Sequence, residues 1–484
     1  MSPAALDPRS TVNAMPQSAP EPPARRLPAV HVVLDRPGLA GPLAARGREA
    51  IAAAVRRAID EARSALIAGA PADADPDALA DRALAILGAD RPHLRPVLNA
   101  TGILLHTGLG RAPLAAEAAE AVGRVVRGYC NLEIDLNTGD RGRRTDGVAE
   151  LLRRLTGAEA AAVVNNNAAA TILALRALAA GREVIVSRGQ LVEIGGSFRL
   201  PEIFEVSGAR LREVGTTNKT RLADYERAIG PETAALLRVH PSNYRIVGFT
   251  EEVAIADLAT LGKARGLWTI DDIGSGALAP GLPPVVSGEP TVAEGLAAGA
   301  DLVLFSGDKL LGGPQCGVLV GRAAAVARLA ADPLMRALRV DKMTLAALEA
   351  TLRLALDPAL GGRQIPLWAF LTTPLDALRC RAGRLAEEFR AELSLNASAV
   401  ESTAFLGGGS VPVDPLPSAA VRLAGPFPAS VGSESSLAQA LRVGEPAVLA
   451  RVQGGAVLLD LRALPESAES DLRMAIQHAV SGRA

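Results

Sequence analysis

The sequence is poor in the residues that build disulfide frameworks, metal sites and membrane spans. Its 484 residues include three cysteines and five histidines, which are too few and too scattered for a disulfide scaffold or a zinc site. No apolar run reaches the roughly 18–20 residues needed to cross a bilayer. Aromatic residues make up 3% of the chain, so alanine, valine and leucine must supply most of the core. These shortages favour a reduced cytoplasmic protein with no resident metal.

Net charge and length narrow the class of protein further. The formal net charge of −1 argues against a generally basic nucleic-acid-binding protein, although a local patch would still accommodate a polyanion. The length predicts about two to four domains with ample chain for a large core. Residues 1–30 are rich in proline, alanine and serine and have no hydrophobic segment. They are predicted to form a disordered tail rather than a signal peptide.

Residues 31–96 have the pattern of a small helical domain. Apolar residues recur at helical spacing over residues 43–66 and again over residues 77–87, with a loop rich in proline and aspartate between them. Arginines in the first helix are offset by aspartates in and around the second. On the residues alone, this balance favours a solvated amphipathic module over an RNA-binding face.

From about residue 97 the chain alternates short β-rich runs with helical stretches rich in alanine and leucine. This alternation predicts an α/β fold, with a mostly parallel sheet covered by helices on both faces. Residues 97–340 are predicted to form this core domain, and residues 341–484 a smaller C-terminal α+β domain. The predicted core strands are 161–164, 184–186, 211–214, 235–239, 267–270, 302–305 and 317–320.

Lysine is scarce in this chain, and one lysine has informative neighbours. Lysine and arginine together number 51, yet only four are lysines, at positions 219, 263, 309 and 342. Lys309 follows a predicted strand and precedes a Gly-Gly turn, which would hold its amine at the edge of a sheet. An arginine stays protonated, whereas a lysine amine becomes a nucleophile once its pKa is lowered. Lys309 is therefore the candidate for Schiff-base chemistry.

Polar residues near the ends of other strands supply the remaining parts of a cofactor site. Asn166 and Asn167 open a predicted helix, where backbone N–H groups favour a phosphate. Asp272 would pair with a protonated heteroaromatic nitrogen, and Asn243 would hydrogen-bond a phenolic oxygen. This order of parts is typical of a fold-type I enzyme that uses pyridoxal 5'-phosphate. The candidate cofactor-binding residues are Lys309, Asp272, Asn243, Asn166, Asn167 and Ser306.

Longer motifs in the same region resemble those of a known family, bacterial selenocysteine synthase or L-seryl-tRNA(Sec) selenium transferase. The resemblance extends from about residue 95 to 356 and more loosely towards both ends. Its motifs are long and specific. They are residues 99–113 (NATGILLHTGLGRAP), 131–133 (NLE), 138–142 (TGDRG), 192–199 (VEIGGSFR), 213–218 (EVGTTN), 240–249 (HPSNYRIVGF) and 336–342 (RALRVDK).

The resemblance implies the conversion of L-seryl-tRNA(Sec) to L-selenocysteinyl-tRNA(Sec) through an aminoacrylyl-tRNA intermediate, with selenophosphate as the selenium donor. It implies that Lys309 is the Schiff-base lysine and that three arginines surround the donor. These are Arg111, Arg336 and Arg339, and the role suits guanidinium groups because they bind oxyanions in a bidentate manner. It further implies that the N-terminal domain binds tRNA. The expected assembly is a homo-oligomer, at least a dimer and, by the resemblance, a homodecamer.

Two other functions stay open at the level of sequence. One is a related pyridoxal-phosphate lyase or transferase that acts on a small amino acid or amino sugar. The N-terminal helical domain and the pair Arg336 and Arg339 favour the tRNA enzyme over it. The other is a non-catalytic RNA-binding protein on the same fold, against which the retention of Lys309, Asp272 and Asn243 argues.

Further residue positions also bear on the site. Gln190 and His240 are both candidates for the residue that stacks on the cofactor ring. Position 108 is glycine where the family commonly has asparagine, so any polar contact from that side chain is missing. Cys316 follows the Gly-Gly-Pro-Gln turn and is interpreted as structural, although a thiol beside an electrophilic intermediate would be able to react.

Overall fold

The computed structural model describes residues 27–89, 93–195, 198–279, 281, 288–407 and 410–481. Residues 1–26, most of the predicted tail, lie outside the described residues. The chain divides into two compact units, Met1–Arg95 and Pro96–Ala484. None of the described helices is both long and apolar enough to span a membrane.

The first unit is helical, as the periodicity predicts. Ile51 and Val55 on one helix pack against Leu79 and Ala83 on another to form its core. The single helix predicted over residues 43–66 is interrupted at Gly47, whose φ of 82° is a conformation that suits glycine. The helices are α1 (Val30–Leu34), α2 (Ala40–Arg46), α3 (Arg48–Ile67) and α4 (Pro76–Ala89).

The second unit contains one large and one smaller sheet, with helices packed against them. The strands are, in chain order, β1 (Val97–Ala100), β2 (Ala160–Val164), β3 (Glu183–Ser187), β4 (Glu193–Ile194), β5 (Phe198–Arg199), β6 (Arg210–Val214), β7 (Thr233–Val239), β8 (Trp268–Gly274), β9 (Leu302–Ser306), β10 (Gly317–Gly321), β11 (Asn396–Gly407), β12 (Ser410–Ala424), β13 (Ala447–Gln453) and β14 (Ala456–Asp460). The helices are α5 (Ala116–Val126), α6 (Asp146–Thr156), α7 (Asn167–Ala179), α8 (Leu200–Ser207), α9 (Leu222–Ala228), α10 (Ile255–Arg265), α11 (Val292–Ala297), α12 (Ala323–Ala331), α13 (Leu334–Ala337), α14 (Lys342–Ala355), α15 (Pro358–Gln364), α16 (Pro366–Thr372), α17 (Leu375–Leu393), α18 (Glu434–Val443) and α19 (Glu469–Ser481).

The large sheet has the strand order β2-β10-β9-β8-β7-β3-β6. All of its strands are parallel except β10, which is antiparallel to both β2 and β9. Each of the seven strands predicted for the core is present in this sheet. The predicted α/β class with a mostly parallel sheet is confirmed.

Helices cover both faces of the large sheet, and β9 shows how one strand contributes to both. Leu302 and Leu304 pack with α7, α8 and α12 on one face. Val303 and Phe305 pack with α6, α14 and α16 on the other face. All five residues of β9 are buried, as expected for a strand in the middle of a parallel sheet.

The smaller sheet has the order β1-β13-β14-β12-β11, and its composition differs from the predicted domain limits. Strand β1 lies at the start of the predicted core domain but pairs in parallel with β13 of the smaller sheet, so Val97 lies opposite Ala447. Helix α14 was predicted within the C-terminal domain, yet its buried residues Leu345, Leu348 and Leu352 belong to the core of the large sheet. Both differences arise because tertiary packing joins segments that are far apart in sequence.

Candidate active site

The candidate site lies where parallel strands of the large sheet end. Lys309 follows β9, Asp272 lies within the neighbouring β8, and Asn166 precedes α7 just after β2. A Cβ atom added at Gly274, at the end of β8, would lie 3.8 Å from Lys309 Nζ, so the amine reaches the end of that strand. A cavity of about 300 Å³ opens here, lined by Arg111, Asn166, Asn167, Ala168, Ile194, Gly195, Phe198, Ser306, Asp308, Lys309 and Gln315.

The turn that carries Lys309 is fixed by backbone hydrogen bonds. Gly307 N donates to Cys316 O at 2.9 Å, and Leu310 N donates to Ser275 O at 2.8 Å. These bonds tie the turn both to the start of β10 and to the end of β8. The backbone on both sides of Lys309 is thus attached to neighbouring strands of the large sheet.

Burial controls the protonation of Lys309. The residue is 4% exposed, and its desolvation lowers its pKa to about 8, with the positive charge of Arg111 acting in the same direction. The carboxylates of Asp272, Asp308 and Glu289 oppose this shift. The amine is therefore neutral far more often near neutral pH than an exposed lysine amine, which suits a nucleophile or a base.

Asp272 is buried and is bonded to the start of helix α7. Asn167 Nδ2 donates to its Oδ1 at 2.9 Å, and Thr171 Oγ1 lies 2.9 Å from its Oδ2. Burial raises the pKa of Asp272, whereas the hydrogen bonds from Asn167 and Thr171 act to lower it. The sequence predicts the positions of Asp272 and Asn167 but not their contact. It also misses Thr171, whose only signal is its place one helical turn after Asn167.

The start of α7 has the features of a phosphate site. Asn166 caps the helix, its side chain accepting from Ala169 N at 2.9 Å. Asn166, Asn167 and Ala168 line the cavity, so this helix start, with its N–H groups and positive dipole end, faces the cavity. A Cβ atom at Gly317 would collide with the carbonyl of Asn166, so glycine there lets β10 pass close to the cap.

Arg111 enters the same cavity in a constrained conformation. Its φ is 63°, in the left-handed region that non-glycine residues seldom adopt. Its Nη1 lies 2.8 Å from Asp308 Oδ2, and Ala112 N donates to Asp308 O at 3.3 Å. The segment that carries Arg111 is thus attached to the residue just before Lys309, a contact with Asp308 that the sequence reasoning missed.

Arg336 and Arg339 line a second cavity, of about 600 Å³, together with Arg141, Arg143 and Arg144. The residues that line the Lys309 cavity do not include this pair. Helix α13 ends before Arg339, so the two side chains do not share a helix face. The main chain of Arg339 instead forms a bridge with Val164 at the edge of the large sheet. Within one chain, the three arginines expected around the donor are divided between two cavities.

Asn243 lies four residues after β7 and is not among the residues lining the Lys309 cavity. Its Nδ2 donates to the carbonyl of Glu193 at 2.8 Å. Its Oδ1 is buried and makes no hydrogen bond within the described part of the chain. The amide is therefore fixed in orientation and retains capacity for a further polar partner.

Neither candidate for the stacking residue lines the cavity. Gln190 is buried, and its Oε1 accepts from Val239 N at 3.1 Å, which makes it a cap for the end of β7. His240 Nε2 lies 3.6 Å from a carboxylate oxygen of Glu289. Ile194 is one of the apolar side chains that line the cavity in the described structure.

Cys316 is fully buried, as its structural interpretation requires. Desolvation strongly raises the pKa of its thiol, and the charge of Asp308 adds to that effect. A Cβ atom at Gly307 would collide with the sulfur, so the thiol fills space beneath the lysine turn. A neutral, enclosed thiol of this kind is a poor nucleophile.

Comparison with known proteins identifies the family. The family model for L-seryl-tRNA selenium transferase matches residues 97–465, and that for the N-terminal part of selenocysteine synthase matches residues 24–63. The chain belongs to the L-seryl-tRNA selenium transferase family. An L-seryl-tRNA(Sec) selenium transferase of Solidesulfovibrio magneticus is 51% identical over 452 residues, covering 91% of this chain and 95% of that protein. The enzyme of the same name from Moorella thermoacetica is 49% identical, and the match covers 95% of this chain and 97% of that protein.

Among solved structures, D-glucosaminate-6-phosphate ammonia-lyase matches with a TM-score of 0.54 and 22% identity. The match covers 82% of this chain and 98% of that one, and it concerns the fold alone. Family membership confirms the predicted class of enzyme and, with it, the cofactor pyridoxal 5'-phosphate.

Proposed function

We propose that this chain converts L-seryl-tRNA(Sec) to L-selenocysteinyl-tRNA(Sec) at the Lys309 cavity, with selenophosphate as the selenium donor. One observation carries the proposal. A buried lysine amine with a lowered pKa shares one cavity with the start of a helix suited to phosphate, and Asp272 is bonded to that helix. Family membership supplies the substrate class, and this arrangement supplies the chemistry.

The residues of the cavity fit pyridoxal phosphate. The N-terminus of α7 at Asn166 and Asn167 would hold the phosphate, with Ser306 on the lining of the same cavity. Lys309 would hold the aldehyde carbon. Asp272 does not line the cavity but is bonded to Asn167, which does, and it would hold the ring nitrogen. Gly274, at the end of β8, lies beside the Lys309 amine, and its φ of 65° suits glycine. When bound, the cofactor supplies an electron sink that acidifies the Cα–H bond of the seryl group.

Lys309 also serves as the base in this proposal. Its Nζ accepts the proton from the seryl Cα, and the lowered pKa keeps a usable share of the amine neutral at the pH of the cell. Arg111, on the lining of the same cavity, would bind an oxyanion of the selenium donor.

The division of the arginines between two cavities supports a site shared by two subunits. Arg336 and Arg339 of one chain line a cavity separate from that of Lys309. We therefore assign them to the donor site of a neighbouring copy of the chain. In this proposal a homodimer is the smallest active assembly, and the homodecamer implied by the resemblance is the full one. We place the reaction in the cytoplasm, where aminoacylated tRNA is found.

The direct test is to replace Lys309 by alanine and to follow the absorbance of the bound cofactor together with turnover of seryl-tRNA(Sec). Lys309→Ala is expected to abolish both, and borohydride treatment of the unaltered protein is expected to attach the cofactor to Lys309. Lys263→Ala, on the last turn of α10, is the matched control and is expected to change neither. Normal activity of Lys309→Ala would contradict the proposed chemistry.

A further inference from the structure

Thr171 lies on helix α7, and no motif in the sequence singles it out. Its side chain is buried, at 1% exposure. Its Oγ1 lies 2.9 Å from the carbonyl oxygen of Asn167 and also 2.9 Å from Oδ2 of Asp272. The first contact is the ordinary bond of a helical threonine to the carbonyl four residues earlier. The second contact reaches a carboxylate on a different element, strand β8.

The Thr171 hydroxyl has a single hydrogen for these two acceptors. When Asp272 is ionised, the hydrogen is drawn to the carboxylate because a charged acceptor forms the stronger bond. When Asp272 is protonated, its O–H donates to Thr171 Oγ1, and the hydroxyl then donates to Asn167 O. The hydroxyl can therefore satisfy Asp272 in both protonation states by rotation alone, with no movement of the helix.

The remaining contacts fix the plane of the Asp272 carboxylate. Asn167 Nδ2 holds the other oxygen at 2.9 Å, so both oxygens are attached to α7. The charged groups that act on Asp272 are Lys309, which favours its ionised form, and Asp271, which disfavours it. Asp271 is itself paired with Arg238 through two bonds of 2.7 Å. Thr171 and Asn167 are thus the neutral donors that orient this carboxylate.

We propose that Thr171 is a positioning residue whose hydroxyl holds the Asp272 carboxylate towards the ring nitrogen of pyridoxal phosphate. This inference rests on the proposed function, since it assumes that Asp272 is the partner of that nitrogen. Helix α7 then has two roles in cofactor binding: its first turn faces the phosphate, and the side chain one turn later orients the group that meets the opposite end of the ring.

The test compares two ligands of the apoprotein by equilibrium dialysis. One is pyridoxal phosphate, and the other is its 1-deaza analogue, in which CH replaces the ring nitrogen. Thr171→Val keeps the volume but removes the hydroxyl, and it is expected to weaken binding of pyridoxal phosphate about tenfold or more while leaving the analogue unaffected. Thr171→Ser is expected to restore the affinity. An equal loss for both ligands, or no loss for either, would overturn the inference.

Two further variants separate the possible causes of failure. Thr351→Val is the matched control, because Thr351 is a buried helical threonine whose Oγ1 lies 2.9 Å from Ala347 O without a carboxylate partner among its hydrogen bonds. It is expected to bind both ligands normally. Asp272→Asn should weaken only the ligand with a ring nitrogen. If Asp272→Asn shows no such preference, the pairing in the proposed function fails. If Asp272→Asn weakens only the ligand with a ring nitrogen while Thr171→Val has no effect, only the inference about Thr171 fails.

Discussion

At the scale of single residues, the site depends on what burial does to the charges of Lys309 and Asp272. Lys309 loses much of its tendency to be protonated because its amine is desolvated beside Arg111. Burial raises the pKa of Asp272, and the hydrogen bonds from Asn167 and Thr171 oppose that shift. The Arg111 guanidinium, whose charge acts on the Lys309 amine, forms an ion pair with Asp308. The same enclosure thus makes the lysine reactive and makes the aspartate dependent on its neighbours.

The pKa of Lys309 predicts how the rate of cofactor capture by the apoprotein depends on pH. Capture requires the neutral amine, so the rate should rise with pH through a midpoint of about 8 and then level off. Because Arg111 contributes to the lowered pKa, Arg111→Gln should move that midpoint to higher pH. Stopped-flow absorbance from pH 6 to 10 measures both, with Arg322→Gln in a surface ion pair as the control. An unchanged midpoint in Arg111→Gln would count against this electrostatic account.

The lowered pKa of Lys309 also makes the free energy of unfolding depend on pH. The folded-state pKa of Lys309 lies below its unfolded value, so the unfolded chain binds more protons between the two values. The free energy of unfolding contributed by this residue should therefore rise with pH from about 8 to the ordinary lysine pKa. Chemical denaturation of the apoprotein and of Lys309→Met across this range should show the rise only in the unaltered chain. A rise of the same size in both proteins would assign it to other groups.

At the scale of elements, the sequence predicts individual strands well but not how they are combined. The seven core strands are short β-rich runs that mostly alternate with helical stretches, so local pattern suffices to find them. The antiparallel direction of β10 and the pairing of β1 with β13 depend on contacts between distant segments. For the same reason, the sequence predicts Asp272 and Asn167 as separate parts of the site but does not predict their hydrogen bond or the contribution of Thr171.

Removing the N-terminal cap of helix α7 should affect both the stability of the protein and its binding of pyridoxal phosphate. Asn166→Ala loses the bond to Ala169 N and should lower the free energy of unfolding by about 1 kcal/mol. It should also weaken pyridoxal-phosphate binding, because the cap lines the cavity. Ser433→Ala removes an equivalent cap from α18 and should cost similar stability without affecting the cofactor. Denaturation and dialysis measure the two effects, and normal cofactor affinity in Asn166→Ala would exclude the cap from the phosphate site.

At the scale of the whole molecule, the main expectation concerns the sharing of sites between subunits. A chain with Lys309→Ala and a chain with Arg336→Ala and Arg339→Ala should each be inactive alone. When the two are produced together with different tags, mixed oligomers should regain turnover, since one site then contains both the lysine and the arginine pair. The control mixture pairs Lys309→Ala with Arg111→Ala and should stay inactive, because these residues line one cavity of one chain. Failure of the first mixture would place all the arginines in a single subunit.

The separate N-terminal unit predicts that tRNA binding and cofactor binding belong to different parts of the chain. A variant that lacks residues 1–95 removes a unit with its own core. It should still bind pyridoxal phosphate, with the absorbance of the full chain, but should bind seryl-tRNA(Sec) far more weakly. Filter binding with charged tRNA measures the second effect. Unchanged tRNA affinity would show that recognition belongs to the second unit.

Strand β1 has a consequence for how the protein is made. It leaves the ribosome about 350 residues ahead of β13, the strand beside which it lies. The segment just after β1, which leads to Arg111, is attached to the C-terminal sheet through Leu104 N and Leu105 N, which donate to Phe405 O and Leu406 O. A nascent or truncated chain that lacks Phe405 and Leu406 therefore cannot form the hydrogen bonds that attach the segment leading to Arg111. Competence to handle a reactive aminoacyl-tRNA is acquired only after the strands of the smaller sheet have been synthesised.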